Sequence, residues 1–82
     1  MNLQDLRVEI DAIDDAMIKL FAQRMAVVKS VANFKKAHDL PVLDRSREVA
    51  KLEKLPAEWQ PYIGEFYEKI FELSRAYQEV SK

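Results

Sequence analysis

The chain has no cysteine, a single glycine, a single histidine and three prolines, and each scarcity removes a class of protein. Without thiols, neither a disulfide framework nor a thiolate metal site can make up for a small core. A lone His38 leaves little for a metal of another kind. So few glycines and prolines do not supply the turns of a β-rich fold, whereas 49% hydrophobic and 33% charged residues suit long helices. No sign of charge dominates: 13 Lys and Arg against 14 Asp and Glu give a net charge of −1, which argues against a nucleic-acid partner, since such proteins exploit a basic excess. No apolar run approaches the roughly 18 to 20 residues of a membrane span, and Met1-Asn2-Leu3-Gln4-Asp5 lacks the basic start and apolar core of a signal peptide. A soluble cytoplasmic protein with no membrane partner is expected, and 82 residues fit one domain covering 1–82.

What the chain does have is periodicity. Leu3, Leu6, Ile10, Ile13, Met17, Leu20, Arg24, Val27, Val31, Phe34 and His38 step alternately by three and four, which is heptad spacing over about five repeats. Acidic Asp5 and Glu9 near its start and Lys35 and Lys36 near its end suit the helix dipole. One helix is predicted from about Leu3 to Ala37. The segment Asp39-Leu40-Pro41-Val42-Leu43 breaks it, since Pro41 disfavours helical geometry at Leu40 and cannot donate its own backbone bond. Asp44 or Ser46 can cap a short second helix ending near Leu55-Pro56. A third, medium helix is predicted from around Gln60-Pro61 to about Val80, with Ile63, Phe66, Tyr67, Ile70, Phe71, Leu73 and Tyr77 as its apolar stripe and Trp59 and Tyr62 packing the connection. The fold class is all-α, with three helices per chain.

Length makes the first helix unusual. About 35 residues at 1.5 Å each give roughly 52 Å, while a compact chain of this size has a radius of gyration of about 12 Å and a width on the order of 30 Å. The helix must protrude from its own monomer. A second copy packed alongside is the simplest cover for the excess seam, so a homodimer is expected.

Several polar residues sit where apolar ones belong. Arg24 interrupts the heptad seam, where an unpaired guanidinium is costly; it either snorkels, pairs with a neighbouring acid, or meets an anion. Lys35 follows Arg24 by eleven positions, about 1100° of rotation, so both point to one side roughly 16 Å apart along the axis. That spacing suits a small dianion held between their tips. Arg7 shares the heptad phase of Lys35 but lies about 42 Å away; alone it reads as a solvated first-turn charge, while in an antiparallel dimer Arg7 of the partner subunit comes toward Arg24 and Lys35. On the third helix Ser74 and Gln78 add a hydroxyl and a carboxamide to an apolar face, or mark its edge. Asp44-Arg45-Ser46-Arg47-Glu48 is a charged patch at a helix start. Together these groups look like a pocket for a small polyanion bearing hydroxyl or ether oxygens.

The whole constellation resembles the all-helical class of chorismate mutases. It is carried by Leu6-Arg7-Val8-Glu9-Ile10-Asp11 with Ile13-Asp14, by Gln23-Arg24-Met25, Lys35, Pro41-Val42-Leu43-Asp44-Arg45-Ser46-Arg47-Glu48, and Ser74-x-x-x-Gln78. Their order and spacing together are specific. The resemblance implies an intertwined homodimer with two active sites, each borrowing an arginine from the opposite long helix. It implies conversion of chorismate to prephenate, toward phenylalanine and tyrosine, by a Claisen rearrangement that needs no cofactor or metal. Carried onto this chain, Arg24 and the partner's Arg7 would clamp the substrate carboxylates, and Lys35 and Gln78 would donate to the ether oxygen. Glu48 with the Asp44 region would receive the ring hydroxyl, Arg47 would support the carboxylate site, and Ser74 would line it. An amide at Gln78 donates at any ordinary pH, so activity at neutral pH without an acid optimum is expected.

Two other readings compete. The string Arg24-Met25-Ala26-Val27-Val28-Lys29 also resembles isochorismate pyruvate lyase, of the same fold, although Asp44-x-x-Arg47-Glu48 favours the mutase. A non-enzymatic helical dimerisation module would explain the heptads but not Arg24, Ser74 and Gln78. The segment from Glu48 to Ser74 is shorter than is typical of the mutases, which bears on the lid of the pocket. Any feedback control would have to come from a regulatory partner.

Overall fold

In the computed structural model, which describes residues 2–81, the first helix begins on a reciprocal cap. The Asn2 side chain accepts from the Asp5 N–H at 2.9 Å, and the Asp5 carboxylate accepts from the Asn2 N–H at 3.2 Å. This satisfies two of the orphan donors of a helix start. Helix α1 then runs Leu3–Ala37 without a break, over the predicted span. His38, at its C-cap, places Nδ1 2.8 Å from the Phe34 carbonyl oxygen.

The stop is made by Asp39 rather than by Pro41. Asp39 takes a left-handed φ of 56°, and the chain folds back so that the Leu40 N–H donates to the Lys35 carbonyl at 2.8 Å and the Asp39 N–H to that of Lys36 at 3.4 Å. These two bonds define a Schellman motif, with aspartate in the place glycine usually takes.

Helix α2 spans Arg45–Glu53. Of its two candidate caps, Asp44 serves: it accepts from the Arg47 N–H at 3.2 Å, and the Ser46 hydroxyl donates to the same oxygen at 3.0 Å. The helix ends before the predicted Leu55-Pro56, and the connection contains a 3₁₀ turn, Ala57–Trp59, which propensity did not foresee. Helix α3 spans Tyr62–Val80, with Pro61 at its N-cap. Trp59 and Tyr62, expected to pack this connection, are instead 58% and 72% exposed. There is no strand among the described residues.

The C-terminal part of α1 packs on α3, which also receives α2. The α1 stripe involved is Val28 and Ala32, buried, with Arg24, Met25 and Lys35 half-buried. It meets the heptad seam at Arg24 and otherwise lies beside it, so Leu3, Ile13 and Phe34 stay about 60% exposed, at 61%, 60% and 58%. Every described residue before Arg24 is exposed. On α3 the buried positions are Phe71, Ser74 and Gln78, so the two polar residues occupy the middle of the packed face and not its edge. Phe66 and Leu73, assigned to the same stripe, are left outside it.

The molecule measures 54 × 25 × 15 Å, with a radius of gyration of 16.0 Å, well above the roughly 12 Å of a compact chain. Val28, Ala32 and Phe71 are the buried apolar side chains among the described residues. A core that small cannot offset a backbone ordering cost of about 1–2 kcal/mol per residue.

Candidate active site

Where α1 ends, α2 begins and α3 passes beneath both, a cleft of about 290 Å³ opens. Its floor is apolar, from Val28 and Val31 on α1 and Phe71 on α3. Its walls are charged: Arg24, Lys35, Arg47, Lys51 and Arg75 face it, against two carboxylates, Asp44 and Glu48. Five cations against two anions leave an excess of three positive charges, in a chain whose net charge is −1.

Several of these polar side chains are held by neighbours. An Arg24 Nη1 hydrogen goes to the Ser74 hydroxyl oxygen, and Ser74 donates in turn to the Ile70 carbonyl one turn earlier, at 2.7 Å. The guanidinium is thereby aimed while most of its five donors stay open for an anion. Ser74 has no base beside it, so its hydroxyl is built to position and not to attack. Three turns along α1, the Lys35 ammonium donates to the Val42 carbonyl at 2.7 Å. That bond uses one hydrogen of three.

Glu48 is 8% exposed, and a carboxylate so buried needs compensation. Arg75 provides it, with one Nη1 at 2.7 Å from both carboxylate oxygens; Arg45, further out at 3.5 Å, adds a weaker contact. Gln78 is 6% exposed, and its Oε1 is the buried side-chain polar atom without a hydrogen-bond partner among the described residues. The orphaned end is the acceptor oxygen; donation to a bound molecule belongs to the Nε2 end of the same amide. Asp44 stays exposed at the rim; the Arg47 N–H bond, then the Ser46 hydroxyl, hold its carboxyl below the usual 3.8, with smaller help from the charges of Lys35 and Arg47 against slight desolvation.

The cleft thus gathers Arg24, Lys35, Asp44, Arg47, Glu48, Ser74 and Gln78 from three separated stretches of chain. It does not include Arg7, which is exposed on the far half of α1. Sequence reasoning missed Arg75, Lys51 and Tyr67, all of which face the cleft; the Lys51 ammonium lies 5.4 Å from the centre of the Tyr67 ring. Arg75 had a usable signal: it stands four residues after Phe71 and three before Gln78, on the flank of the packed face. Among the described residues, no group of three or more His, Asp or Glu side chains is gathered closely enough to hold a metal ion.

Chemically, this arrangement can grip a compact dianion at two ends about three helical turns apart, bury its apolar ring on valines and phenylalanine, and aim an ammonium and an amide at its middle.

Comparison with known proteins agrees in kind. Residues 6–79 match the family model described as Chorismate mutase type II. The chain is 45% identical to a T-protein of Haemophilus influenzae over 51 residues, which is 62% of this chain and 14% of that protein. It is 39% identical to a chorismate mutase of Methanocaldococcus jannaschii over 47 residues, 57% of this chain and 48% of that one. The matched stretches therefore span about half or less of the length of these curated relatives. No solved structure gives a significant match.

Proposed function

Since the chain belongs to the chorismate mutase type II family, we propose that its cleft rearranges chorismate to prephenate, in the route to phenylalanine and tyrosine, and that residues 1–82 act as a single mutase domain. The observation that carries this reading is the placement of Arg24 and Lys35 at the two ends of one cationic cleft, with the buried Gln78 amide facing it.

The rearrangement is intramolecular: an ether C–O bond breaks as a C–C bond forms, and no group leaves the molecule. It needs no nucleophile or external proton donor. The protein must instead hold the side chain folded over the ring and stabilise the negative charge that grows on the ether oxygen. Arg24, steadied by Ser74, takes one carboxylate by bidentate pairing, and Arg47 supports the carboxylate site. Lys35 keeps hydrogens free beyond its bond to Val42 and supplies the main charge at the ether oxygen, where Gln78 adds a neutral donor. Glu48 accepts the ring hydroxyl, with Asp44 alongside.

The second carboxylate requires a further cation. A homodimer in which Arg7 of the partner subunit reaches this cleft completes the site, and it covers the seam that a protomer leaves open from Leu3 to Phe34. The cytoplasmic setting expected from the sequence is part of the same proposal; no helix among the described residues is long and apolar enough to cross a membrane.

The test is direct. Purified protein given chorismate should consume its absorbance and yield prephenate. A folded preparation that leaves chorismate untouched overturns the enzyme reading and favours a dimerisation module. Pyruvate and salicylate from isochorismate, with chorismate spared, would assign the lyase reaction instead.

A further inference from the structure

The Glu48–Arg75 pair is a short, part-buried charge contact whose arginine has no place in the scheme above. Both Glu48 oxygens lie 2.7 Å from a single Arg75 nitrogen, and the two side chains are 11% and 33% exposed. Other exposed pairs are looser: Lys69 and Glu72 meet at 3.2 Å with both side chains more than 60% exposed, at 63% and 62%. Position matters as much as distance. Glu48 sits in the first turn of α2 and Arg75 one residue beyond Ser74 on α3, so the contact ties the two walls of the cleft together at its polar end.

A glutamate side chain has three rotatable bonds, and one that must meet a small hydroxyl is effective only if it is already aimed. Arg75 does the aiming. Arg75 occupies one lone pair on each oxygen and Arg45 makes a weaker contact to Oε1, so the second lone pair of Oε2 is left for a hydroxyl. Arg75 also supplies the countercharge that a nearly buried carboxylate requires.

We propose that Arg75 is a positioning residue: by fixing the Glu48 carboxylate it makes the cleft selective for a cyclic dianion that bears a ring hydroxyl over one that lacks it. The inference rests on the chorismate reading of the site. It differs from a direct substrate contact, because Arg75 acts only through Glu48 and hence only on ligands with the hydroxyl.

The experiment compares chorismate with its analogue lacking the ring hydroxyl, in wild type, Arg75→Leu, Arg75→Lys, Glu48→Gln and the double variant Glu48→Gln/Arg75→Gln. Arg75→Leu should raise KM for chorismate about ten- to a hundredfold, the range for losing a hydrogen bond to a charged group, and change KM for the analogue less than about threefold. Arg75→Lys should restore part of the selectivity. In the Glu48→Gln background, adding Arg75→Gln should cost nothing further, because Arg75 then has no carboxylate to aim. The double variant also decides the matter should Arg75→Leu fail to fold, since it leaves no buried charge unpaired. Equal loss for both substrates, or additive losses in the double variant, would overturn the role of Arg75 while leaving the mutase intact. Wild type that rearranges neither compound would overturn the parent reading, and this one with it.

Discussion

Lys35 and Val42 are joined by a 2.7 Å hydrogen bond from the ammonium to the backbone carbonyl, so the central cation of the cleft is anchored to the connection between α1 and α2. A lysine side chain otherwise samples many rotamers, and ordering it costs up to about 2 kcal/mol. Here that cost is met on folding, before substrate arrives, which is what electrostatic preorganisation requires.

Lys35→Ala should therefore lower kcat about a hundredfold to a thousandfold, the range for removing one preorganised donor, with a smaller effect on KM. Circular dichroism and sedimentation should show an unchanged fold and assembly. Near-normal turnover would remove Lys35 from the mechanism.

The shared site predicts complementation. Arg7→Ala and Lys35→Ala chains should each be nearly inactive, and mixing them should restore activity, because one of the two clefts in a mixed dimer then holds both wild-type groups. Confirmed subunit exchange with no gain in rate would count against Arg7 as a shared residue.

Gln78→Glu should make activity depend on acid. An amide donates at every pH, whereas a carboxyl donates only when protonated, and its ionised form would repel the charge growing on the ether oxygen. The variant should be slow at pH 7 and recover as pH falls toward a carboxyl's range, about 4.3 when unperturbed; wild type should show no such rise. A pH–rate profile of both proteins reads this out, and parallel profiles would remove Gln78 from the ether oxygen.

Asp44 makes a prediction about stability. Its carboxyl is held below 3.8 by the Arg47 N–H and the Ser46 hydroxyl, so ionisation is easier in the folded chain than in the unfolded one. A depressed folded value contributes stability that is complete above the unfolded value and lost as pH falls through the folded one. Asp44→Asn keeps a good capping acceptor but does not titrate. Wild type should accordingly lose more stability than the variant as pH falls below about 5. Urea midpoints across that range measure it, and equal slopes would refute the assignment.

The sequence made some of this plain and hid the rest for definite reasons. The extent of α1 was legible because unbroken heptad spacing and the charges at its two ends agree. Arg24 and Lys35 could be placed on one side because rotation along a single helix is fixed arithmetic. Which apolar stripe of α1 meets its own chain could not be read: Val28 and Ala32 interleave with Val27, Val31 and Phe34, and only the position of α3 chooses between them. The break at Asp39-Leu40-Pro41-Val42-Leu43 is legible, but not that Asp39 makes the turn, because a left-handed stop normally announces itself with glycine. Arg75 was hidden by its surroundings, since a cation near Glu72 on a helix surface looks locally paired, whereas its partner Glu48 is 27 positions away.

Loops usually accept insertions and deletions more readily than the elements they join. The connection from Asp39 to Asp44 has the look of such a loop and does not behave as one. Its first residue turns the chain back, its middle holds the ammonium of Lys35 through Val42, and its last caps α2 and fixes where Glu48 starts. One residue more or fewer would pull these three anchors out of register while leaving every helix able to form. In this protein the length of a loop is as much a functional trait as the identity of a charged side chain.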